Sequence, residues 1–368
     1  MCKLEYRIHT IGLLVTCQCN LRCKYCYIPE KSKKKMPLKT AQHILEPFLR
    51  QPGEQLEIVL MGAEPLTAWP MIRQLVEWVE NVEKKRPVHF FGSTNGTLMT
   101  EFMAEWFMAH RDIICLGLSY DGLPSTQDRN RSGSSANINY LLFHKLWPEQ
   151  TFQMTINEES VGDMAQGVIF LLDQGIRVNA NVAYEPVEWS NRALEIYARQ
   201  LSILSEYYET HPNAYRIHQF DHPLLAYARD LRKPPKQLHQ CGCGKGFAVF
   251  DLDGRTYPCH ILSPLVLGSE KLKALPPITE KTDFEDPRCR GCAFVSDCPT
   301  CAGCNYLYRE EYRRRDITHC KLMQLEVLAD IHLISRKILE KSTLSKDDIA
   351  IIQGIQELVN WMTTKRKL

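Results

Sequence analysis

The feature that most constrains this chain is Cys19-Asn-Leu-Arg-Cys23-Lys-Tyr-Cys26, three thiols separated by three and then two residues. It follows an apolar run, Ile11 to Val15, of the kind that forms a buried strand, so the thiols fall in the loop at that strand's C-terminal end. Thiolates are soft ligands that select zinc, copper(I) or iron–sulfur clusters, and a cubane cluster takes four of them. Three in one tight loop would leave one iron open to a substrate or cosubstrate. A zinc knuckle is the competing reading of these residues alone.

The chain has fifteen cysteines, four in residues 17–26, nine in 241–320, and otherwise only Cys2 and Cys115. Two metal-bearing regions separated by a cysteine-poor stretch are the simplest account. No apolar run reaches the roughly 18 residues of a membrane span, and Ile11–Val15 is too short for a signal-peptide core. The expectation is a cytoplasmic protein with no membrane contact, in a compartment that keeps thiols reduced. Charged residues make up 24% with a formal net charge of +2, which gives no footprint for nucleic acid.

After the cysteine loop the pattern alternates. Helical periodicity covers Leu38 to Leu49, 71–82, 100–110, 134–147, 160–174 and Ser190 to Tyr208. Strand-type runs cover Leu56–Met61, Val88–Ser93, Ile113–Ser119, 151–157 and 177–183. Six such units in succession predict an α/β fold, a partial (β/α)6 barrel of TIM type, whose chemistry gathers at the C-terminal strand ends. Those ends carry Gly62-Ala63-Glu64-Pro65, then Ser93-Thr94-Asn95-Gly96-Thr97. The fourth carries Ser119-Tyr120-Asp121-Gly122 followed by Gln127-Asp128-Arg129-Asn130-Arg131. Each is ordinary turn chemistry by itself; their succession at consecutive strand ends carries the weight.

Residues 209–240 lose periodicity and read as a solvated connector rich in proline and basic residues; the alternative reading is a segment bordering the substrate channel, where Asp221, His218 or Tyr227 would contact a peptide. Cys241-Gly-Cys243-Gly then precedes a hairpin signal at Asp253-Gly254, and Cys259-His260 closes it. Further on come Cys289-x2-Cys292-x5-Cys298-x2-Cys301-x2-Cys304, and Cys320. Repeated Cys-x2-Cys pairs point to metal, whether one or two structural zinc ions or iron–sulfur clusters. The chain closes with helical segments and a basic tail.

Cys-x3-Cys-x2-Cys with Tyr25 before the last thiol, and the strand-end motifs in this order, resemble the radical S-adenosylmethionine enzymes. The order Cys, Gly-x4-Cys, Cys-x2-Cys-x5-Cys and Cys resembles that family's C-terminal SPASM extension. The resemblance covers about residues 8–325 and implies a 4Fe–4S cluster on Cys19, Cys23 and Cys26 that cleaves S-adenosylmethionine to a 5′-deoxyadenosyl radical. It implies contacts to that cofactor from Tyr25, Gly62, Ala63, Glu64, Ser93, Asn95, Ser119 and Arg131. The family's second glycine is Ala63 here, and its usual histidine is Gln127. Two auxiliary 4Fe–4S clusters are implied, making three in all. Cys241, Cys259 and one of Cys301 or Cys304 would serve the first, with Cys243 as its eighth-thiolate candidate; Cys289, Cys292, Cys298 and Cys320 would serve the second.

Relatives of this architecture act mostly on peptides. The expected activity is therefore that of a maturase that crosslinks a ribosomally made precursor peptide through a thioether or carbon–carbon bond. Reduction would come from a flavodoxin or ferredoxin. The stretch before the first strand is short for a peptide-recognition domain, so leader binding would fall to a separate protein or to the core. The alternative is an anaerobic sulfatase maturase forming formylglycine, although that group places an Asp base where this chain has His260. A non-catalytic zinc or iron–sulfur module is the third reading. His260 and Asp221 are the candidate catalytic side chains. The expected organisation is a barrel over 1–210, a linker over 211–240, the SPASM domain over 241–325 and helices over 326–368.

Overall fold

The computed structural model describes residues 8–183, 185, 188–232, 241–279 and 281–364. In chain order the elements are β1 (Thr10–Thr16), α1 (Leu38–Leu49), β2 (Leu56–Gly62), α2 (Trp69–Asn81), β3 (Val88–Thr94), α3 (Glu101–Ala109), β4 (Ile114–Leu118), α4 (Pro124–Asn130), α5 (Tyr140–Leu146), β5 (Phe152–Ile156), α6 (Met164–Leu172), β6 (Val178–Val182), α7 (Asn191–Thr210), α8 (Leu224–Arg232), β7 (Phe247–Phe250), β8 (Thr256–Tyr257), α9 (Ser269–Lys273), α10 (Ala302–Arg309), α11 (Thr318–Leu339) and α12 (Lys346–Thr364). The six expected strand–helix units are all present, so the fold is α/β on a parallel sheet.

Two compact units result. One gathers the described residues of Met1–Thr155, Ile176–Pro186 and Cys241–Thr282; the other gathers Ile156–Gly175, Val187–Gln240 and Asp283–Leu368. These units cut the chain differently from the expected boundaries, because the cysteine-rich segment 241–325 is shared between them.

In the first unit the strand order is β4-β3-β2-β1-β7-β8. The ladders β1–β2, β2–β3, β3–β4 and β1–β7 are parallel, and β8 returns antiparallel to β7. β1 is an almost unbroken apolar run buried on both faces, as a central parallel strand should be. β2 and β3 alternate instead: Leu56, Ile58, Leu60, Val88 and Phe90 are buried, while Glu57, Val59, His89 and Phe91 are partly open. One sheet face is therefore covered and the other is left free to be lined by functional side chains. β5 and β6 form their own pair, joined to the end of β4 by a bridge between Ser119 and Gln153.

Two helical expectations were too long. Within 134–147, Ser135–Asn137 makes one tight turn, and α5 starts only after Asn139, whose side chain accepts from the Leu142 amide. Within 160–174, Val161–Asp163 is likewise a separate turn before α6. In the first case the Asn139 side chain competes with a longer helix for a local amide.

In the second unit a core joins α8, the cysteine loop, α11 and α12 through Leu224, Tyr227, Phe294, Val327, Leu358 and Trp361, with Cys289, Cys292 and Cys298 in the same cluster. The stretch expected to be a solvated connector is thus partly core: Leu224, Tyr227 and Ala228 share one buried helical face. Residues 233–240, which held the rest of that expectation, lie outside the described residues.

Candidate functional site

The loop after β1 is held by its neighbours at every turn. The Lys24 amide donates to the Asn130 carbonyl at 3.0 Å and the Arg22 amide to Ser132 Oγ at 2.9 Å. Asn20 donates to Thr97 Oγ1 at 2.7 Å and accepts from Asn95 Nδ2 at 3.0 Å. Within the loop the Leu21 amide points at Cys19 Sγ, 3.3 Å away, and the Cys26 amide closes a turn on the Cys23 carbonyl. All three thiols are half-buried. Burial pushes the Cys19 and Cys23 thiols up, and for Cys23 the strongest opposing influence is the nearby Arg131 guanidinium.

The end of β2 is fitted against this loop by close backbone approach. Gly62 has φ +124°, and a Cβ there would lie 2.2 Å from the Thr16 carbonyl oxygen. Ala63 and Glu64 donate their amides to Thr16 and Gln18 carbonyls at 3.1 and 3.0 Å. The Glu64 carboxylate is buried and accepts three hydrogen bonds: Leu66 N at 3.0 Å and Thr94 Oγ1 at 2.6 Å on Oε1, and Asn95 N at 2.8 Å on Oε2. Burial raises its pKa, with the Asn95 amide the first of the bonds that oppose the rise. A carboxylate has about four acceptor positions, so one on Oε2 is still open to a ligand donor. Of the β3-end residues expected to contact a cofactor, Asn95 is buried beside Glu64, whereas Ser93 is exposed on the open sheet face.

The residue that organises the β4 end was not singled out from the sequence. Asp121, fully buried, accepts from Arg131 Nη2 at 3.0 Å and the Thr155 amide at 3.0 Å on Oδ1, and from Tyr25 at 2.6 Å and Asn130 Nδ2 at 3.0 Å on Oδ2. Its own amide donates to Gln127 Oε1 at 2.9 Å, which gives the residue standing in place of the usual histidine a structural task. The Arg131 guanidinium lies 5.2 Å from the Tyr25 ring centre, covering one face of that ring. Arg131 Nε and Asn130 Oδ1 are buried without partners. A buried unpaired guanidinium N–H is costly unless a ligand satisfies it, and it suits the carboxylate of an amino-acid-type cofactor. Ser119, half-buried, extends β4 through its amide bond to the Thr94 carbonyl at 2.8 Å.

Also in the first unit, the Cys243 thiol is in hydrogen-bond contact with the thiols of Cys241 and Cys259, and those contacts raise it well above its ordinary value. Beside Cys259, the His260 ring lies 5.5 Å from that of Tyr27, and its Nδ1 is sealed from solvent without a partner. Burial holds His260 down to about 4, so its imidazole is neutral at neutral pH.

In the second unit, Cys298 is within electrostatic reach of Cys289, Cys292 and Cys320, and burial pushes it up to about 12. Cys301 caps the N-terminus of α10, its Sγ accepting from the Cys304 amide at 3.4 Å. Asp221 is exposed after the tight turn His218–Phe220. Tyr227 is fully buried and donates to Asp297 Oδ2 at 2.6 Å, so it packs in the core of this unit. Among the described residues, no three His, Cys, Asp or Glu side chains close on a point for a single metal ion. A cubane asks something different, with each thiolate on its own iron. The donor sets, made of thiols throughout, suit that demand.

Residues 13–138 match the sequence model of the Radical SAM superfamily. The radical SAM cyclopropyl synthase TigE of Paramaledivibacter caminithermalis is 24% identical over 44% of this chain and 39% of its own length. The chain spans between a third and two fifths of the length of several curated relatives that it matches. Among solved structures, anSMEcpe with bound AdoMet and Cp18Cys peptide superposes with a TM-score of 0.66 at 16% identity, over 90% of this chain and all of that one. Streptococcus suis SuiB bound to precursor peptide SuiA gives 0.58 at 16% identity, over 84% of this chain and 75% of that one. At such identities the likeness establishes a shared fold. No helix among the described residues is long and apolar enough to cross a membrane.

Proposed function

We propose, from the match of residues 13–138 to the Radical SAM superfamily model, that the chain is a radical S-adenosylmethionine enzyme that modifies a peptide by hydrogen abstraction, forming a thioether or carbon–carbon crosslink. When bound, a 4Fe–4S cluster on Cys19, Cys23 and Cys26 supplies the electron that cleaves S-adenosylmethionine to a 5′-deoxyadenosyl radical. The chain's own part is positioning. Glu64 offers an acceptor to the methionine ammonium, Arg131 offers Nε to the carboxylate, and Tyr25, with one face taken by Arg131, presents the other to the cofactor. His260, next to Cys259, is the chain's candidate for the proton released when the new bond forms; burial keeps it neutral and makes it a weaker base than a free imidazole.

The observation that carries this reading is the convergence of three strand-end loops on the three-thiol loop, through Asn95, Glu64 and the Asp121–Arg131 pair. We assign the remaining thiols to two auxiliary clusters, one drawing on Cys241, Cys243 and Cys259, the other on Cys289, Cys292, Cys298 and Cys320. A cytoplasmic location, a flavodoxin or ferredoxin as reductant, and leader recognition by a separate protein or by the core itself belong to the same proposal.

The shared fold over the whole of anSMEcpe, an anaerobic sulfatase maturase, favours formylglycine formation as the second reading. Anaerobic reconstitution tests the premise: about twelve irons per chain, four for each of three clusters, and 5′-deoxyadenosine on reduction are expected. Colourless, zinc-loaded protein would end it. Peptide substrates then separate the readings, since a crosslink removes two hydrogens from the peptide mass, whereas formylglycine also exchanges a side-chain heteroatom when Cys is the target.

A further inference from the structure

In the second unit, Arg315 is a buried cation with an unusual set of partners. Nη1 donates to Cys289 Sγ at 3.5 Å, and Nη2 donates to Cys298 Sγ at 3.1 Å and to the Cys298 carbonyl at 2.8 Å. A further bond from Nη2 reaches the Pro299 carbonyl. Among the described residues, its guanidinium meets no carboxylate. The residue is 8% exposed. A buried charge left without a counter-charge is strongly destabilising, and carbonyl oxygens solvate a cation without neutralising it. The groups beside it able to carry negative charge are the sulfurs of Cys289 and Cys298, with Cys320 also in electrostatic reach.

The guanidinium is also aimed from outside. The Arg315 amide donates to Asp286 Oδ2 at 3.0 Å, and its carbonyl accepts from Arg288 Nη2 at 2.8 Å. Arg288 is itself ion-paired with Asp286 at 2.5 Å. The Asp286–Arg288 pair thus holds the backbone of Arg315 at both its amide and its carbonyl, just before Cys289. Such support is what fixed donor geometry at a cofactor requires.

We propose that Arg315 sets the reduction potential of the 4Fe–4S cluster on Cys289, Cys292, Cys298 and Cys320. This rests on the auxiliary-cluster assignment made above. A reduced cluster carries one more electron than the oxidised one, so N–H···S bonds and a fixed positive charge stabilise the reduced form and raise the potential. The consequence fits a crosslinking reaction. When a carbon radical bonds to a second side-chain atom, one proton and one electron leave the substrate, and a raised potential favours uptake of that electron by the oxidised cluster.

The test uses the full chain with Cys19, Cys23 and Cys26 changed to Ala, which leaves only auxiliary clusters to titrate. It is reconstituted with iron and sulfide, with and without Arg315→Gln. Iron content is measured first, and midpoint potentials are then read by electron paramagnetic resonance during dithionite titration. The expected result is unchanged iron and a fall in one midpoint, by at least tenfold in the reduction equilibrium or about 59 mV, while the other stays put. Full iron with both midpoints unmoved would overturn the inference. Should the Gln variant fail to hold its iron, Arg315→Lys decides: it keeps the charge but not the forked donors, so a smaller fall supports the role and no fall overturns it. A parent chain that binds no auxiliary iron overturns the cluster assignment itself, an outcome visible before any Arg315 variant is made.

Discussion

The Tyr25 phenol donates to Asp121 Oδ2 at 2.6 Å, tying the residue before the third thiol to the end of β4, 96 residues away in sequence. The other oxygen of the same carboxylate holds Arg131 at 3.0 Å. One buried aspartate therefore places both the cluster loop and the guanidinium beside it.

Asp121→Asn is expected to destabilise the fold by about 3–5 kcal/mol, because it leaves a buried arginine uncompensated. Tyr25→Phe, which removes one of several donors to the same group, is expected to cost only about 1 kcal/mol. Urea unfolding of the two variants beside the parent checks the order. Equal losses would mean that Asp121 is not the hub described.

The single glycine of the Gly-Ala-Glu-Pro motif, Gly62, is the position that tolerates no side chain. Gly62→Ala places a methyl 2.2 Å from the Thr16 carbonyl at φ +124° and is expected to cost more than about 2 kcal/mol through clash and backbone strain. Ala63→Gly should change stability by less than about 1 kcal/mol. Thermal melts of both proteins separate the two expectations.

Glu326 gives the second unit a pH dependence. It is buried against Tyr197, whose hydroxyl donates to it at 2.5 Å, and burial pushes it up to about 7. The folded state therefore binds a proton more tightly than the unfolded chain. The stability Glu326 contributes is complete below its unfolded value near 4.5 and is lost as pH rises through 7. His218 and His319, both held down to about 4 by burial, act in the opposite sense, their stabilisation growing as pH rises from 4 to 6.5. Comparing the parent with Glu326→Gln cancels the histidines. The difference in unfolding free energy should drift by about 3 kcal/mol between pH 4 and 8, in favour of the variant on the alkaline side. A flat difference would contradict the assignment.

The strand ends were legible because period-two apolar runs and turn residues are local signals, and the loops holding Cys19, Glu64 and Asn95 follow directly from them. Asp121 was read as half of an Asp-Gly turn. Its role depends on Tyr25, Arg131 and Thr155 arriving from elsewhere, which no local pattern encodes. β7 was legible as one arm of a hairpin but not as a neighbour of β1, since a four-residue strand carries no record of a partner more than two hundred residues away. The connector was misjudged for a related reason: Pro212 and Pro223 break the periodicity on which a helix reading depends, although Leu224, Tyr227 and Ala228 keep the spacing of a buried face.

Glu64 separates cofactor binding from cluster binding. Its three donors come from Leu66, Thr94 and Asn95, none of them a thiol-bearing residue. Glu64→Gln keeps the shape but removes the charge and turns one acceptor atom into a donor facing the Thr94 hydroxyl or the Asn95 amide. Charge-assisted hydrogen bonds contribute about 1.5–3 kcal/mol each, so affinity for S-adenosylmethionine should fall by roughly ten- to a hundredfold. Iron content should stay at the parent level, because Cys19, Cys23 and Cys26 are untouched. Equilibrium dialysis with labelled S-adenosylmethionine, run beside an iron assay, reads both quantities. Parent-like affinity would show that the carboxylate only braces the β2 and β3 loops, and loss of iron would show that this bracing extends to the thiols.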